Sequence, residues 1–248
     1  MTEEKLMQTI QDLYNEDPKN FLLIEVGAND GYCCDRMHDF ILKNDPNSIL
    51  IEPIPCYFEK LKDNYKHLKN LSYENVAISN KEGERTMYYI PRATIDSEQV
   101  RFRLENQPNL WKEHWAGGLG SFYHGVNNLG CPELKKFEEK TIVKTVKLKT
   151  IANKYDLTKY KNIVLQTDTE GHDYEILKDF DFSLFRPRIY ICEIYGKTRY
   201  PESHPLYNTG KGIYTQTQED GAREILTREK YSVFSSSDMI GIDLKLIE

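Results

Sequence analysis

Short apolar runs alternate with segments of helical periodicity along most of this 248-residue chain. Apolar residues recur at helical spacing in residues 3–15, 33–43, 57–68, 150–155 and 174–178. The strand-like runs between them cover residues 21–26, 48–52, 73–79, 85–90, 141–148, 163–168 and 188–193. Because strands that alternate with helices form βαβ units, the pattern predicts an α/β fold with a mainly parallel sheet flanked by helices. A last helix, 222–229, precedes runs at 231–234 and 240–247, which predicts an antiparallel hairpin at the sheet edge.

The alternation lapses between residues 91 and 140, where the chain is polar and rich in aromatic residues. Such a long irregular segment in a compact domain usually carries function. Its aromatic side chains and histidines suit stacking on sugar rings or a lid, and equally suit burial against the domain or a homodimer interface; they are Trp111, His114, Trp115, Phe122, Tyr123 and His124. The length and the 39% apolar content predict a single domain, 1–248, with 91–140 as an insert within it.

Composition excludes several classes of partner and compartment. The formal net charge of −6 argues against nucleic acid, which calls for a basic surface. No apolar run reaches the length of about 18 residues that a membrane span needs, and the polar, acidic start is unlike a signal peptide, so we expect a cytoplasmic protein. Five cysteines without a C-x-x-C spacing predict reduced thiols rather than a disulfide framework or a structural zinc site.

A glycine turn follows the first strand-like run, and acids surround it. The spacing Gly27-x-x-x-Gly31 differs from the G-x-G-x-x-G of dinucleotide-binding turns, and Glu25 and Asp30 would repel an anion. A cationic ligand such as the aminocarboxypropyl sulfonium of S-adenosylmethionine would be held instead. Glu52 ends the next strand-like run, about where an acid accepts hydrogen bonds from ribose hydroxyls. The alternative for these acids is helix capping and a solvated strand end.

The order and spacing of several motifs resemble the FkbM family of S-adenosylmethionine-dependent methyltransferases. The motifs are Glu25-Val-Gly-Ala-Asn-Asp-Gly31, Ile51-Glu-Pro53, Asn75-Val-Ala-Ile-Ser79, Asp168-Thr-Glu-Gly171 with Glu175-Ile-Leu177, Arg186-Pro187 and Glu193. The resemblance implies a class I methyltransferase (Rossmann-like) fold that transfers a methyl group to oxygen, often a hydroxyl of a sugar, glycolipid or macrolide. It carries over the cofactor contacts Gly27, Asn29, Gly31 and Glu52. It also implies that Asn75, Val76 and Ala77 lie beside the adenine and Asp168 beside the sulfonium methyl, and with Glu25, Asp30 and Tyr32 these complete the expected S-adenosylmethionine site.

Methyl transfer to a hydroxyl needs a base, and the Asp168-Thr-Glu-Gly-His172 segment offers one. We hypothesise that Asp168 positions the acceptor, that Glu170 lies on the same face, and that His172 abstracts the proton; the alternative for His172 is a solvated residue at a helix start. Asp168, Glu170 and His172 could also ligate a divalent metal. This short run supplies no fourth ligand and Glu170 suits helix capping, so no metal site is predicted.

The expected acceptor contacts are Ser121, His124, Glu193 and Tyr195. Glu193 could instead pair with Arg186 or Arg188. The function predicted is an S-adenosylmethionine-dependent O-methyltransferase acting on a saccharide-type hydroxyl, such as that of a sugar-nucleotide or capsular polysaccharide precursor. A phosphate-type (phosphoramidate) acceptor stays open, since basic residues follow Tyr195, and so does a catalytically silent S-adenosylmethionine-binding module. A nicotinamide oxidoreductase is disfavoured by the glycine turn.

Overall fold

The computed structural model of the chain describes residues 1–32, 35–95, 97, 120–126, 132–194, 215–235 and 238–246. The strands are β1 (Phe21–Val26), β2 (Ser48–Ile51), β3 (Leu71–Glu74), β4 (Ala77–Ile78), β5 (Gly83–Tyr89), β6 (Glu139–Val146), β7 (Asn162–Thr167), β8 (Ile189–Cys192), β9 (Tyr231–Ser235) and β10 (Met239–Asp243). The helices are α1 (Glu3–Glu16), α2 (His38–Asn44), α3 (Pro55–Asn64), α4 (Arg92–Ile95), α5 (Leu148–Tyr155), α6 (Asp173–Asp179) and α7 (Gln216–Arg228).

Seven strands form the central sheet in the order β3-β2-β1-β7-β8-β10-β9. Neighbouring strands from β3 to β8 run parallel, whereas β10 runs antiparallel to both β8 and β9. The mainly parallel α/β fold and the antiparallel hairpin at the sheet edge are therefore confirmed. β1 and β7 lie at the centre of the sheet, and the loops after their carboxyl ends lie side by side.

Both faces of the central sheet are covered, which explains why its inner strands read as continuous apolar runs rather than alternating ones. On one face β1 and β7 pack with α1, α2 and α3 in a single buried cluster. On the other face α5, α6 and α7 contribute the buried residues of a second cluster. Helix starts are capped where the sequence allows it: Thr2 Oγ1 accepts from the Lys5 N–H, and Thr215 and Gln218 form a capping box on α7.

The prediction of one strand over residues 73–79 was wrong, because the run is divided between two sheets. β3 ends at Glu74 in the central sheet, and β4 begins at Ala77 in a separate sheet of order β4-β6-β5. The Asn75 amide Nδ2 between them donates to the backbone oxygens of Glu52 and Pro53, at 2.8 and 3.1 Å. These bonds hold the turn against the loop after β2, so that the small sheet lies beside the carboxyl edge of the large one.

The insert predicted for residues 91–140 is ordered at both of its described ends. It starts with the short α4, and Ser121 pairs with Tyr88 of β5 through two backbone hydrogen bonds of 2.7 and 2.9 Å. Its last two residues already belong to β6, which begins at Glu139. Trp111, His114 and Trp115 lie outside the described residues. Among the described helices, none is long and apolar enough to cross a membrane.

Candidate functional site

Gly27 lies where the loops after β1 and β7 come closest. Its φ is +88°, and the Ile51 carbonyl accepts its N–H at 2.9 Å. A Cβ atom at this position would lie 1.8 Å from the backbone oxygen of Asp168, well inside van der Waals contact. Only glycine satisfies both the positive φ and this close approach. The first glycine of the turn is therefore needed to bring the β7 loop, which carries Asp168, against the β1 loop.

The rest of the β1 loop is held by tertiary contacts. A Cβ on Gly31 (φ +68°) would lie 2.4 Å from the Tyr65 ring. Asp30 is buried, pairs with Arg92 of α4, and accepts the Tyr32 N–H at 3.0 Å. The positive charge of Arg92 therefore compensates the negative charge of Asp30, which the sequence analysis had expected to repel an anionic ligand. Tyr32 itself is exposed at the rim of the loop.

Glu52 connects the loops after β1 and β2. Its Oε2 accepts the Asn29 N–H at 2.9 Å and its Oε1 accepts the Ile54 N–H at 2.7 Å. Burial raises the pKa of this carboxyl to about 7, against the lowering effect of the two backbone hydrogen bonds. Each oxygen keeps a further acceptor position. Glu52 can therefore accept additional donors from a ligand while it fixes the backbone around them.

A cleft opens beside Glu52 along the carboxyl edge of the sheet, with an empty volume of about 490 Å³ counted with the solvent at its mouth. One end is apolar and is formed by Ile54, Tyr57, Val76, Ala77, Met87 and Phe122. The other end is polar and is formed by Gly27, Asn29, Glu52 and Asp168. A mostly apolar wall with a few polar groups is typical of small-molecule sites. The cleft offers apolar contacts at one end and hydrogen-bond acceptors at the other.

Two further carboxyl groups converge on Asp168, which lines the polar end of the cleft. Asp168 and Glu170 follow β7 and Glu193 follows β8, and one oxygen of each lies within 4.8 Å of the others. Asp168 and Glu193 hydrogen-bond to each other, which requires that they share a proton. Burial, and then the charge of Asp173, raise the pKa of Asp168 to about 7, although its side chain contacts the solvent of the cleft. Burial and the neighbouring acids also raise the pKa of Glu193.

Comparison with protein families assigns this cleft to a methyltransferase domain. The family model described as Methyltransferase FkbM domain matches residues 25–232, which is most of the chain. The chain belongs to the FkbM methyltransferase family. The match extends beyond the motifs seen in the sequence, as far as the start of β9. No curated protein matches the chain significantly.

In this FkbM-family methyltransferase His172 lies apart from the three carboxyl groups. It is 2% exposed, its Nε2 is 3.0 Å from Ser79 Oγ, and its ring meets the Phe122 ring edge to face. Burial, and then the positive charge of Arg85, lower the pKa of His172 to about 4. The imidazole is therefore neutral near pH 7 and joins the small sheet to the β7 loop. The structure groups Glu193, not His172, with Asp168 and Glu170, and a role for His172 as base stays a prediction.

The expected acceptor contacts have different surroundings in the FkbM domain. Ser121 is fully buried, and its hydroxyl donates to the Glu170 carbonyl at 2.6 Å, so it holds the β7 loop rather than lining the cleft. His124 is exposed and lies 3.0 Å from Glu138. Glu193 is at the cleft with Asp168, and Tyr195 lies outside the described residues. Arg186 pairs with Asp243, so it is not the partner of Glu193 that sequence reasoning considered.

Glu25, an expected cofactor contact, does not line the cleft but belongs to a buried polar network whose other members sequence reasoning missed. Glu25 is 2% exposed and its Oε1 accepts from Gln166 Nε2 at 3.2 Å. Burial, and then the adjacent Asp35 carboxyl, raise the pKa of Glu25 well above its usual range. Arg36 pairs with Asp238, at the start of β10. The one signal in the sequence was the Asp35-Arg36 pair soon after the glycine turn, because their partners are distant along the chain.

The apolar end of the cleft was also only partly anticipated. Val76 and Ala77 were expected there, and both line it. Ile54, Met87 and Phe122 complete the same wall from the β2 loop, β5 and the insert. A Cβ on Gly120 would lie 2.3 Å from the tip of the Ile54 side chain, so the insert packs closely against Ile54 where it closes this wall. The aromatic content of the insert was the only sequence signal for Phe122.

Proposed function

We propose that this methyltransferase uses S-adenosylmethionine and methylates a hydroxyl oxygen of a saccharide-type acceptor, such as a sugar-nucleotide or capsular polysaccharide precursor. The observation that carries the proposal is the cleft with Glu52 in its wall, an apolar end on one side and Asp168 on the other. Nucleosides attached to a charged group need this sequence of surfaces. The FkbM family membership supports the methyl-transfer chemistry.

The residues of the cleft fit the parts of such a cofactor. The apolar wall that includes Val76, Ala77 and Phe122 would take the adenine, and the two oxygens of Glu52 would accept the ribose hydroxyls. Gly27 lets the Asp168 loop pack against the β1 loop, and both residues line the cleft, so the amino acid end would lie beside Asp168. Bound S-adenosylmethionine would supply a methyl carbon already activated by a positive sulfur.

The protein then has to align the acceptor oxygen and accept its proton. Asp168 lines the cleft and shares a proton with Glu193, and its pKa of about 7 matches a general base that works near neutral pH. We assign Asp168 as the base and Glu193 as the group that accepts hydrogen bonds from the acceptor. Glu170 adds negative charge, which raises the pKa of Glu193 further. His172, neutral and bonded to Ser79, keeps the loop in place.

The acceptor class follows from the charge at the polar end. Asp168, Glu170 and Glu193 lie together there, and they would repel a phosphate group. A neutral polyol can instead donate its hydroxyl hydrogens to these oxygens. A saccharide-type hydroxyl is therefore proposed in preference to the phosphate-type (phosphoramidate) acceptor.

Cys56 and Cys192 carry free thiols, which supports the proposal of a cytoplasmic location.

The test combines cofactor binding with transfer of a labelled methyl group. We expect S-adenosylmethionine and S-adenosylhomocysteine to bind in calorimetric titrations and NAD not to bind. Transfer from labelled S-adenosylmethionine should occur to members of a sugar-nucleotide panel but not to phosphoramidates. Asp168→Asn should retain cofactor binding and lose transfer by about 100-fold or more, as expected on removal of a general base. Binding of NAD alone, or transfer only to phosphoramidates, would contradict the proposal.

A further inference from the structure

The three carboxyl groups at the cleft have the spacing of ligands to a single cation. One oxygen each from Asp168, Glu170 and Glu193 lies within 4.8 Å of the others. Carboxylate oxygens bind Mg²⁺ or Ca²⁺ at about 2.0–2.6 Å, so two ligands of one ion lie at most roughly 5 Å apart. A protonated amine that accepts the same three groups as hydrogen-bond partners has similar dimensions. The observed separation therefore lets all three oxygens reach one cationic centre.

Backbone contacts hold these three residues in position before any ligand arrives. The Asp168 N–H donates to the Val26 carbonyl at 2.9 Å, and the Glu193 N–H donates to the Thr167 carbonyl at 3.0 Å. Glu170 has a φ of +50°, and its carbonyl accepts the buried Ser121 hydroxyl at 2.6 Å. The carboxylates are thus presented by fixed backbone. The three acidic side chains are therefore held close together by the fold itself, and no change of backbone conformation is needed to bring them together.

A second observation below the cluster also points to a ligand with donor hydrogens. Gln166 lies two residues before Asp168 and is paired with Ile191, two residues before Glu193. Side chains two apart on a strand share a face, so Gln166 lies on the same face of the sheet as Asp168 and Glu193, one step closer to its centre. It is 6% exposed, and its Nε2 donates to Glu25. Its Oε1 is buried and has no donor within hydrogen-bond distance among the described residues.

We propose that Asp168, Glu170 and Glu193 form a cation subsite next to the point of methyl transfer. Its occupant is either a hard divalent ion or a protonated amine of the acceptor, and a metal-bound water or an ammonium hydrogen would donate to Gln166 Oε1. Divalent ions keep several waters in such sites, which suits this arrangement. The catalytic role of this subsite rests on the proposed function, whereas the binding of a cation does not depend on it.

The subsite would act on the acceptor in one of two ways. A divalent ion in contact with the acceptor hydroxyl would lower its pKa, and the proton would pass to solvent or to a carboxylate oxygen that the ion leaves free as the acceptor oxygen displaces S-adenosylhomocysteine from the methyl carbon. A protonated amine would instead anchor an amino sugar and present the neighbouring hydroxyl to the cleft. In both cases an anionic group is excluded from the point of methyl transfer unless a metal ion bridges it to the carboxylates, so the phosphates of a sugar-nucleotide would lie away from this cluster. The set differs from the one considered in the sequence, because Glu193 replaces His172.

In the experiment, S-adenosylhomocysteine is kept present with the full chain. The protein is then titrated in separate runs with Mn²⁺, with glucosamine and with glucose. Wild type, Glu193→Gln and Glu175→Gln are compared by calorimetry. Glu175 is a matched control, since it lies on α6 near the same loop and is engaged by Asn80 and Lys178 outside the cluster. We expect Mn²⁺, or glucosamine but not glucose, to bind wild type and Glu175→Gln. Glu193→Gln should weaken that binding by about tenfold or more, because affinity follows the number of charged ligands.

The outcomes separate the two cations and the two proposals. Glu193-dependent binding of Mn²⁺ assigns a metal, and Glu193-dependent preference for glucosamine over glucose assigns an amine. Equal binding of both probes to all three proteins, or no binding at all, overturns the subsite. If the wild type does not bind S-adenosylhomocysteine, the proposed function is overturned instead. Thermal unfolding of each variant is recorded, and Glu170→Gln replaces Glu193→Gln if the latter does not fold.

Discussion

Replacing Glu52 by glutamine tests whether this carboxylate serves the ligand or the fold. In the wild type, Glu52 accepts the Asn29 and Ile54 N–H groups at 2.9 and 2.7 Å. Glutamine keeps one acceptor oxygen and turns an NH₂ group toward the other N–H. The loss of a hydrogen bond to a charged group, with a buried donor left unsatisfied, costs about 1.5–3 kcal/mol.

An opposing effect offsets this loss in the free protein. The pKa of Glu52 is raised from 4.5 to about 7. The folded state therefore loses about 3.4 kcal/mol of stability as the pH rises from below 4.5 to above 7, at about 1.36 kcal/mol for each pKa unit. Glutamine never ionises, so above pH 7 it avoids this cost. We expect the stability of Glu52→Gln at pH 8 to lie within about 2 kcal/mol of wild type.

Binding should respond differently from stability. Two ribose hydroxyls would donate to the Glu52 carboxylate, and glutamine can accept only one of them. A loss of about 1.5–3 kcal/mol corresponds to an affinity for S-adenosylhomocysteine that is about 10- to 100-fold lower. The expected result is therefore a large loss of affinity with little change in unfolding free energy.

Calorimetry at pH 8 and urea unfolding measure the two quantities. Glu74→Gln is the control, since Glu74 is also a buried acid at a strand end but accepts from Lys154 and Tyr155 instead of lining the cleft. We expect this variant to bind S-adenosylhomocysteine like wild type. An unchanged affinity in Glu52→Gln, or an equal loss in Glu74→Gln, would refute the assignment of Glu52 to the ribose.

Three further predictions follow from the glycine turn, Glu52 and His172. Gly27→Ala should lower the unfolding free energy by about 3 kcal/mol or more, because its Cβ would lie 1.8 Å from a backbone oxygen. Gly125→Ala is the control, since Gly125 has the same φ of +88° but nothing lies within 4 Å of the added Cβ. Urea unfolding should show a cost of about 1 kcal/mol for this control. Between pH 5 and 7, wild-type affinity for S-adenosylhomocysteine should rise about tenfold per pH unit as Glu52 ionises, and Glu52→Gln should show no such rise in the same titrations. His172→Gln should leave the midpoint of the pH–rate profile near 7, since its pKa is about 4 and its Nε2 is engaged by Ser79; loss of the ascending limb would restore His172 as the base.

Several elements could be predicted from local sequence because local physics determines them. The apolar run of β7 is long enough and buried enough to be recognised as a central strand, and the capping and turn residues mark the helices around it. The turn from Gly27 to Gly31 was recognised as a point of close backbone approach, because glycines at a strand end permit it, and its role in ligand binding stays a prediction. Glu52 was found for the same reason, as an acid that ends the neighbouring parallel strand.

Other elements depended on contacts between distant segments. The break between β3 and β4 follows from the bonds of Asn75 to the β2 loop, which no periodicity reveals. The apolar wall of the cleft joins Ile54, Met87 and Phe122, which are separated by more than thirty positions at each step. Hydrophobic pattern identifies such residues as buried, but burial alone does not say that they face a cavity.

The sequence by itself determined the fold class and the presence of acids at the strand ends, because strand periodicity and turn chemistry are local. The tertiary structure decided which acids meet. Positive φ angles at Glu170 and Gly171 turn the chain after β7, so that His172 contacts the small sheet. Glu193 takes the place beside Asp168 because β8 pairs with β7. Side-chain direction after an irregular turn and the register of neighbouring strands are set by long-range packing, which spacing along a single chain does not encode.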